Sequence, residues 1–380
     1  MNSHNFELLR AIAYLPSEAT DRRVRQAAAA VSDWDALLPI AGEHRVLPLL
    51  FTRLAQCGTQ APAHVQQRLL SAYERNAFHC LANAAELISL LNVFAQEAIS
   101  VMPFKGVVLG ASIYGDPTRR VAGDLDLLIH RRDVAQATAI LRQRGYQLDT
   151  PVNADDSPAN PDCGEYHFDR PNDGMVTELR WRFELFGRRY SRELGMDWVW
   201  PRRRSVILHG AEVPDLDPET TLLTLCMHGS KHHWSRLAWI CDVAQLLEAR
   251  PALDWNWIDR EAKRTGLWGV LALGVLLAHR VAGAEVPNAL LRKFESKRAA
   301  STWAQYIEEH LFDAPGSLPD TAIPFSLQLL DSRDRLGQIF SLAVLRPNER
   351  DFAVVKLPRW LNALYYLIRP FRILMDRSPR

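Results

Sequence analysis

Asp124 and Asp126 are the residues whose types and spacing point most directly to chemistry. They stand in Asp124-Leu125-Asp126-Leu127-Leu128-Ile129, where carboxylate alternates with apolar residue before an apolar run. In a strand, successive side chains point to opposite faces, so the two carboxylates share one face and Leu125 and Leu127 the other. Neighbouring carboxylates repel unless a cation or basic group lies between them. A hard divalent ion such as Mg²⁺, which favours a few carboxylates plus phosphate oxygens, answers that need. The preceding segment, with Lys105, Gly106 and Gly110, lets the backbone approach a phosphate chain closely. The pattern points to a metal–phosphate site. It remains a short motif: D-x-D also occurs in glycosyltransferases, and many such pairs are merely solvated.

The elements that must position these residues follow from the rest of the chain. At 380 residues it exceeds one typical domain and has ample length for a buried core. A net charge of +1 gives no whole-molecule field for nucleic acid, so nucleic acid is not an expected partner. The five cysteines are spread out, with no C-x-x-C pair, and read as reduced thiols of a cytoplasmic protein. The start of the chain lacks the basic-then-apolar signature of a signal peptide, and no run approaches the roughly 18 apolar residues of a membrane span.

Residues 1–98 read as a helical N-terminal region, with a long helical pattern from Ala63 to about Ala98. Residues 99–217 read as the catalytic core. Strands are expected at Ile99 to Phe104 and Leu125 to His130, and helices at Val107 to Tyr114 and Arg132 to Arg144. Tyr166 to Asp169 and Met175 to Arg182 form a hairpin across Pro171-Asn172-Asp173-Gly174, a strong turn signal, and Glu178 lies in its second strand. Pro151 to Gly164 reads as a loop. Residues 218–380 read as a helical C-terminal domain, with helices over Glu219 to His233, Trp234 to Ala249, Trp257 to Thr265, Trp268 to Ala282 and Ala289 to Leu311. The fold class is α+β, a small mixed α/β core between helical regions.

Lys105-Gly106, Tyr114, Asp116-Pro117, Arg120 and Gly123-Asp124-Leu125-Asp126-Leu127-Leu128 resemble the core of the uncharacterised bacterial nucleotidyltransferase-like family. That family belongs to the DNA-polymerase-β-like nucleotidyltransferase superfamily. The likeness extends to Glu178-Leu179-Arg180-Trp181, to His228, Lys231-His232, Trp234, Leu237, Trp239 and Asp242, and to Leu357-Pro358 through Arg369-Pro370. Two positions depart from the pattern. Lys105-Gly106 stands where the superfamily carries Gly-Gly or Gly-Ser, and Arg180 stands where a His is usual.

The resemblance implies a polymerase-β-like core with a short mixed sheet, and transfer of a nucleoside monophosphate from an NTP to a small-molecule or protein acceptor. It implies two Mg²⁺ ions, with Asp124 and Asp126 bridging them and Glu178 binding the one that activates the acceptor hydroxyl. On this reading Asp126→Asn abolishes transfer and leaves the fold intact. The alternative is a catalytically inactive relative that binds nucleotide or a partner, as in surface-polysaccharide assembly. A D-x-D glycosyltransferase is disfavoured, because no sugar-nucleotide-binding α/β half precedes the motif.

The remaining candidates carry two readings each. Lys105 holds the triphosphate as a point charge, or pairs with Asp124 in a resting site. Arg120 steadies phosphate or salt-bridges Asp126. Glu178 is a metal ligand, or a cross-strand partner of the neighbours of Arg180 or of Arg120. His228 and His232 lie one helical turn apart with Lys231 between them, which opposes a zinc site. Lys231, with these histidines, closes the cleft on nucleotide phosphates, or the three form a structural hydrogen-bond cluster. Asp242 anchors a histidine or acts on the acceptor. His79, His167, His279 and His310 read as structural or exposed. The tail from Trp360 to Leu374, with Arg369 and Arg372, either packs on its own domain or makes peripheral membrane contact as a basic amphipathic helix.

Overall fold

The computed structural model describes residues 3–150, 164–183, 194–313, 325–329 and 364. The chain divides into two compact units, Met1–Leu318 and Pro319–Arg380. The expected loop at 151–163 and the amphipathic tail, apart from Leu364, lie outside the described residues, as does Cys163. In the second unit a short helix, Phe325–Leu329, is described.

Five helices open the first unit: α1 (Ser3–Ala13), α2 (Glu18–Ala29), α3 (Trp34–Glu43), α4 (Leu47–Gln56) and the 34-residue α5 (Ala63–Gln96). By length and composition α5 could cross a membrane, contrary to the expectation that no such run exists. Here one of its faces, Cys80, Ala84, Leu87, Leu90 and Phe94, is buried in the core of the following sheet. Elsewhere on the helix Leu70, Phe78 and Leu81 are exposed.

The sheet follows: β1 (Val101–Pro103), α6 (Gly106–Tyr114), β2 (Leu125–Ile129), α7 (Val134–Gln143), β3 (Gln147–Leu148), β4 (Glu165–Arg170) and β5 (Met175–Arg180). Its strand order is β1-β2-β5-β4-β3, with β2 and β5 parallel and every other pair antiparallel. The α+β expectation holds, and the hairpin turns at Pro171–Gly174 as its sequence requires. Leu125, Leu127 and Ile129 face α5 and α7, where they join Ala137, Ile140 and Leu141. Burying each such side chain is worth about 1.5–3 kcal/mol, and a one-residue slip would put the Asp126 carboxylate into this apolar core instead. That burial fixes the register of β2 and sends Asp126 to the opposite face.

A short helix α8 (Met196–Val199) leads to a hairpin of β6 (Arg204–Leu208) and β7 (Ala211–Asp215), which the sequence reading did not assign. His209 and Gly210 both have positive φ, 47° and 84°, as a tight hairpin turn demands. Then come α9 (Pro218–Lys231), α10 (Leu237–Ala249), α11 (Trp255–Thr265), α12 (Trp268–Ala282), α13 (Asn288–Glu295) and α14 (Arg298–His310). The single helix expected over Ala289 to Leu311 is therefore two. At the break the Ser296 hydroxyl donates to Lys293 O at 2.7 Å and so competes with the helical ladder. Cys57, Cys80, Cys226 and Cys241 are buried free thiols.

Candidate active site

The parallel pairing of β2 and β5 sets Asp126 directly beside Glu178, and the antiparallel β4 sets His167 beside Glu178 on the other side. Because strand side chains alternate, Asp126, Glu178, Arg180, Glu165 and His167 stand on one face, and Asp124 lies immediately before β2. That face floors a cleft of about 620 Å³, and all six residues line it.

At its edge Lys105 and Gly106 turn from β1 into α6. Lys105 has φ 62°, a left-handed conformation costly for a side-chain-bearing residue, and Gly106 has φ 48°. A Cβ on Gly106 would lie 3.2 Å from Asp124 O. The turn lets α6 begin against the carboxylate strand, with no side-chain cap on its first N–H groups. Uncapped N–H groups at a helix start favour anions.

Lys105 Nζ donates to Asp126 Oδ1 at 3.0 Å and lies 3.4 Å from His228 Nδ1. The resting-site pairing considered for Lys105 is thus with Asp126. Arg180 pairs with Glu178 and with Glu165, and its Nε lies 3.5 Å from Asp126 Oδ1. Asp126 is only 2% exposed at its side chain. Burial disfavours its charge, yet Lys105 and Arg180 outweigh that and hold its carboxyl below the usual range. Its neighbours go the other way. Burial, then the Asp126 charge, raise the Asp124 carboxyl, and the same two causes push Glu178 up to about 7. Of Asp124, Asp126 and Glu178, one is thus firmly ionised and two carry negative charge that is under-neutralised.

The opposite wall comes from α9 and α10. His228 and His232 stack edge-on at 4.8 Å, and both pack against Trp239. Burial foremost, then the Lys105 charge, keep His228 neutral, so its Nδ1 can accept from Lys105. Lys231 reaches Glu165 at 3.4 Å. The turn between the helices is locked by Trp234, fully buried in a slot that Gly229 and Gly274 leave open. A Cβ on Gly229 would lie 2.5 Å from the Trp234 ring.

Arg120 is committed elsewhere than expected. Its Nε and Nη2 donate to the two carboxylate oxygens of Asp242 at 3.2 and 3.0 Å, while Nη1 donates to Gly106 O at 2.8 Å. Asp242 is buried and also accepts from the Tyr114 hydroxyl at 2.9 Å. So Asp242 anchors Arg120 and not a histidine, and Arg120 bridges to Asp242 and not to Asp126. Two asparagines of α5 hold the loop that carries Arg120. Asn76 donates to Thr118 O and Arg120 O, and Asn83 donates to Ala122 O.

A family described as "Uncharacterised nucleotidyltransferase" matches residues 30–283, which span α3 to α12 and the whole cleft. The chain belongs to this family. No curated protein matches this nucleotidyltransferase. Among solved structures it is similar to the lincosamide antibiotic adenylyltransferase LnuA in its lincomycin-bound form, at 12% identity and a TM-score of 0.31. That likeness covers 43% of this chain and 96% of LnuA. Family membership sets the reaction class as nucleotidyl transfer.

In this nucleotidyltransferase nine residues singled out from the sequence line the same cleft, namely Lys105, Gly106, Arg120, Asp124, Asp126, Glu178, His228, Lys231 and His232, whereas Asp242 does not line it. Sequence reasoning missed Glu165 and set His167 aside as structural or exposed. Yet His167 lies in the cleft, 3.4 Å from both Glu165 and Glu178. The alternation of the 165–170 hairpin strand was the available signal, since it puts both on the face of Glu178. Arg45 and Arg236, which also line the cleft, left no such signal.

Proposed function

We propose that this nucleotidyltransferase moves a nucleoside monophosphate from an NTP to a hydroxyl of a small-molecule or protein acceptor. The acceptor oxygen bonds to the α-phosphorus and the bond to the bridging oxygen breaks. The electron pair leaves with pyrophosphate, and the hydroxyl proton passes to a base. The observation that carries the reading is the in-register rank of Asp126 and Glu178 on the floor of a polar cleft whose rim holds Lys105 and the start of α6.

The donor set fits a hard divalent cation: Asp124, Asp126 and Glu178 offer only carboxylate oxygens, and two of them carry charge that burial and repulsion penalise. Among the described residues no three His, Cys, Asp or Glu side chains already converge as a metal cluster. Lys105 and Arg180 lie among the carboxylates and supply the positive charge that Mg²⁺ would bring. When bound, Mg²⁺ would neutralise phosphate charge and ease loss of the acceptor proton.

The chain's own groups divide the work. Lys105, freed from Asp126, serves as a point charge for phosphate oxygens, with the α6 N–H groups beside it. Glu178, pushed up to about 7 by burial and the Asp126 charge, would be held ionised by a bound cation, and His167 lies 3.4 Å from it. Arg180 restrains Glu178 and Glu165 when no phosphate is present. Lys231 and neutral His228 and His232 close the far wall. Rate then comes from positioning and charge neutralisation.

The Lys105–Asp126–Arg180 pairing also favours a second reading, an inactive nucleotide binder in which these cations permanently replace the metal. One experiment separates the two. Each NTP, labelled at the α-phosphate, is titrated with Mg²⁺ and with chelator, and pyrophosphate release is followed in wild type and Glu178→Gln. Mg²⁺-dependent release lost in the variant is expected. NTP binding without release under any condition would favour the binder.

A further inference from the structure

Arg45 and Arg236 line the cleft from outside the sheet core, and the reading above gives them no task. Arg45 lies within the α3–α4 turn at φ 55°, and Arg236 is the residue before α10. They are 191 positions apart (236 minus 45), yet a direct tether brings their segments together. His44 Nδ1 accepts from Leu237 N at 3.1 Å, and His44 O accepts from Ala238 N at 3.2 Å. Burial, helped by the Arg236 charge, keeps His44 neutral, so Nδ1 stays an acceptor.

Two guanidinium groups held at one end of a cleft repel each other. Burial and the Arg45 charge weaken the hold of Arg236 on its proton, and the Asp124 charge only partly opposes them. Among the described residues neither arginine forms a salt bridge, and Arg236 stacks on Trp239 at 5.2 Å. The other cations of the cleft all have carboxylate partners: Lys105 with Asp126, Arg120 with Asp242, Arg180 with Glu165 and Glu178, Lys231 with Glu165. An enforced arginine pair with no salt bridge of its own, and only the Asp124 carboxylate acting on it from across the cleft, is a site for an anion of more than one charge.

We propose that Arg45 and Arg236 form the subsite for the terminal phosphates of the NTP, and so for the leaving pyrophosphate. The assignment rests on the nucleotidyl-transfer reading and adds direction to it. In-line displacement needs attacking and leaving oxygens on opposite sides of the α-phosphorus. Arg45 and Arg236 reach the cleft from the α3–α4 turn and the start of α10, whereas Glu178 and His167 stand on β5 and β4. The acceptor enters beside Glu178 and His167, and pyrophosphate collects between α3–α4 and α10. The helical region before the sheet is thereby part of the substrate site, and the pair selects tri- over monophosphates.

The test is calorimetric titration of inorganic pyrophosphate, and separately of an NMP, into full-length protein with Mg²⁺. Wild type is compared with Arg45→Gln, Arg236→Gln and Arg22→Gln, the last an exposed-arginine control for net charge. Circular dichroism checks folding, and Arg45→Lys and Arg236→Lys test charge against fork geometry. Each glutamine variant in the pair should weaken pyrophosphate about tenfold or more, leave NMP affinity within about twofold, and leave Arg22→Gln at wild-type affinity. Equal pyrophosphate affinity in all proteins, or none in wild type, overturns the subsite even if pyrophosphate release from NTP proceeds. Arginine-dependent pyrophosphate binding with no NTP turnover instead keeps the subsite and sinks the transfer reading.

Discussion

Arg120 grips Asp242 through both carboxylate oxygens across 122 positions of sequence, and its third nitrogen holds the carbonyl of Gly106. This contact joins the helical wall to the turn that starts α6. It converts the position of α10 into the position of Lys105, which lies one residue from the carbonyl that Arg120 holds. Asp242 is 2% exposed, so the pair is effectively withdrawn from water.

Removing one partner of a buried pair strands the other. Asp242→Asn should cost about 3 kcal/mol of stability, read from urea denaturation. Tyr114→Phe, which deletes one hydrogen bond to the same carboxylate, should cost about 1 kcal/mol. Equal, negligible costs would show that the network does not brace the turn.

Asp126→Asn is not the mild probe its strand position suggests. Its carboxylate neutralises Lys105 and faces Arg180, so the variant should lose about 1–3 kcal/mol of stability along with activity. Asp124→Asn and Glu178→Gln remove carboxylates whose ionisation the fold penalises. Both should denature at equal or higher urea concentration, by up to about 1 kcal/mol, while transfer falls at least about 100-fold. Activity retained in both would remove them from the chemistry.

The His44 tether makes stability depend on pH. Its folded value of about 4 lies below its ordinary 6.5, so between these values the unfolded chain binds more protons. Stability is therefore fully present above about pH 6.5 and is lost as pH falls towards 4. From pH 7 to 5 the loss from this group is about 2 kcal/mol, measurable as a falling urea midpoint. His44→Gln, already weaker at pH 7, should show a flatter profile; an unchanged slope would remove His44 as its source.

Gly229→Ala puts a methyl group into the Trp234 ring and should cost about 1–3 kcal/mol by overpacking. Since that turn carries His228, Lys231 and His232, NTP affinity should fall as well. A Gly274→Ala variant, whose methyl group meets Cys226 Sγ and the other edge of the same Trp234 ring, should lower stability and NTP affinity in the same direction.

Local pattern was enough to place Asp124 and Asp126 on one strand face, to find the hairpin bearing Glu178, and to outline most of the helices. Strand alternation, turn dipeptides and helical periodicity are properties of neighbouring residues, and the chain carries them without folding. Sequence spacing could not say that β2 and β5 run parallel, which sets Asp126 against Glu178. Nor could it turn His167 from bystander into a neighbour of both Glu165 and Glu178. The break at Ser296 was equally hidden, because one hydroxyl competing for a carbonyl leaves the periodicity of Ala289 to Leu311 intact. The choice of Asp242 for Arg120, and the meeting of Arg45 with Arg236, arise only when helices distant in sequence pack together. Charge pairing depends on distance in space and on exclusion of water, and both are fixed by the tertiary structure.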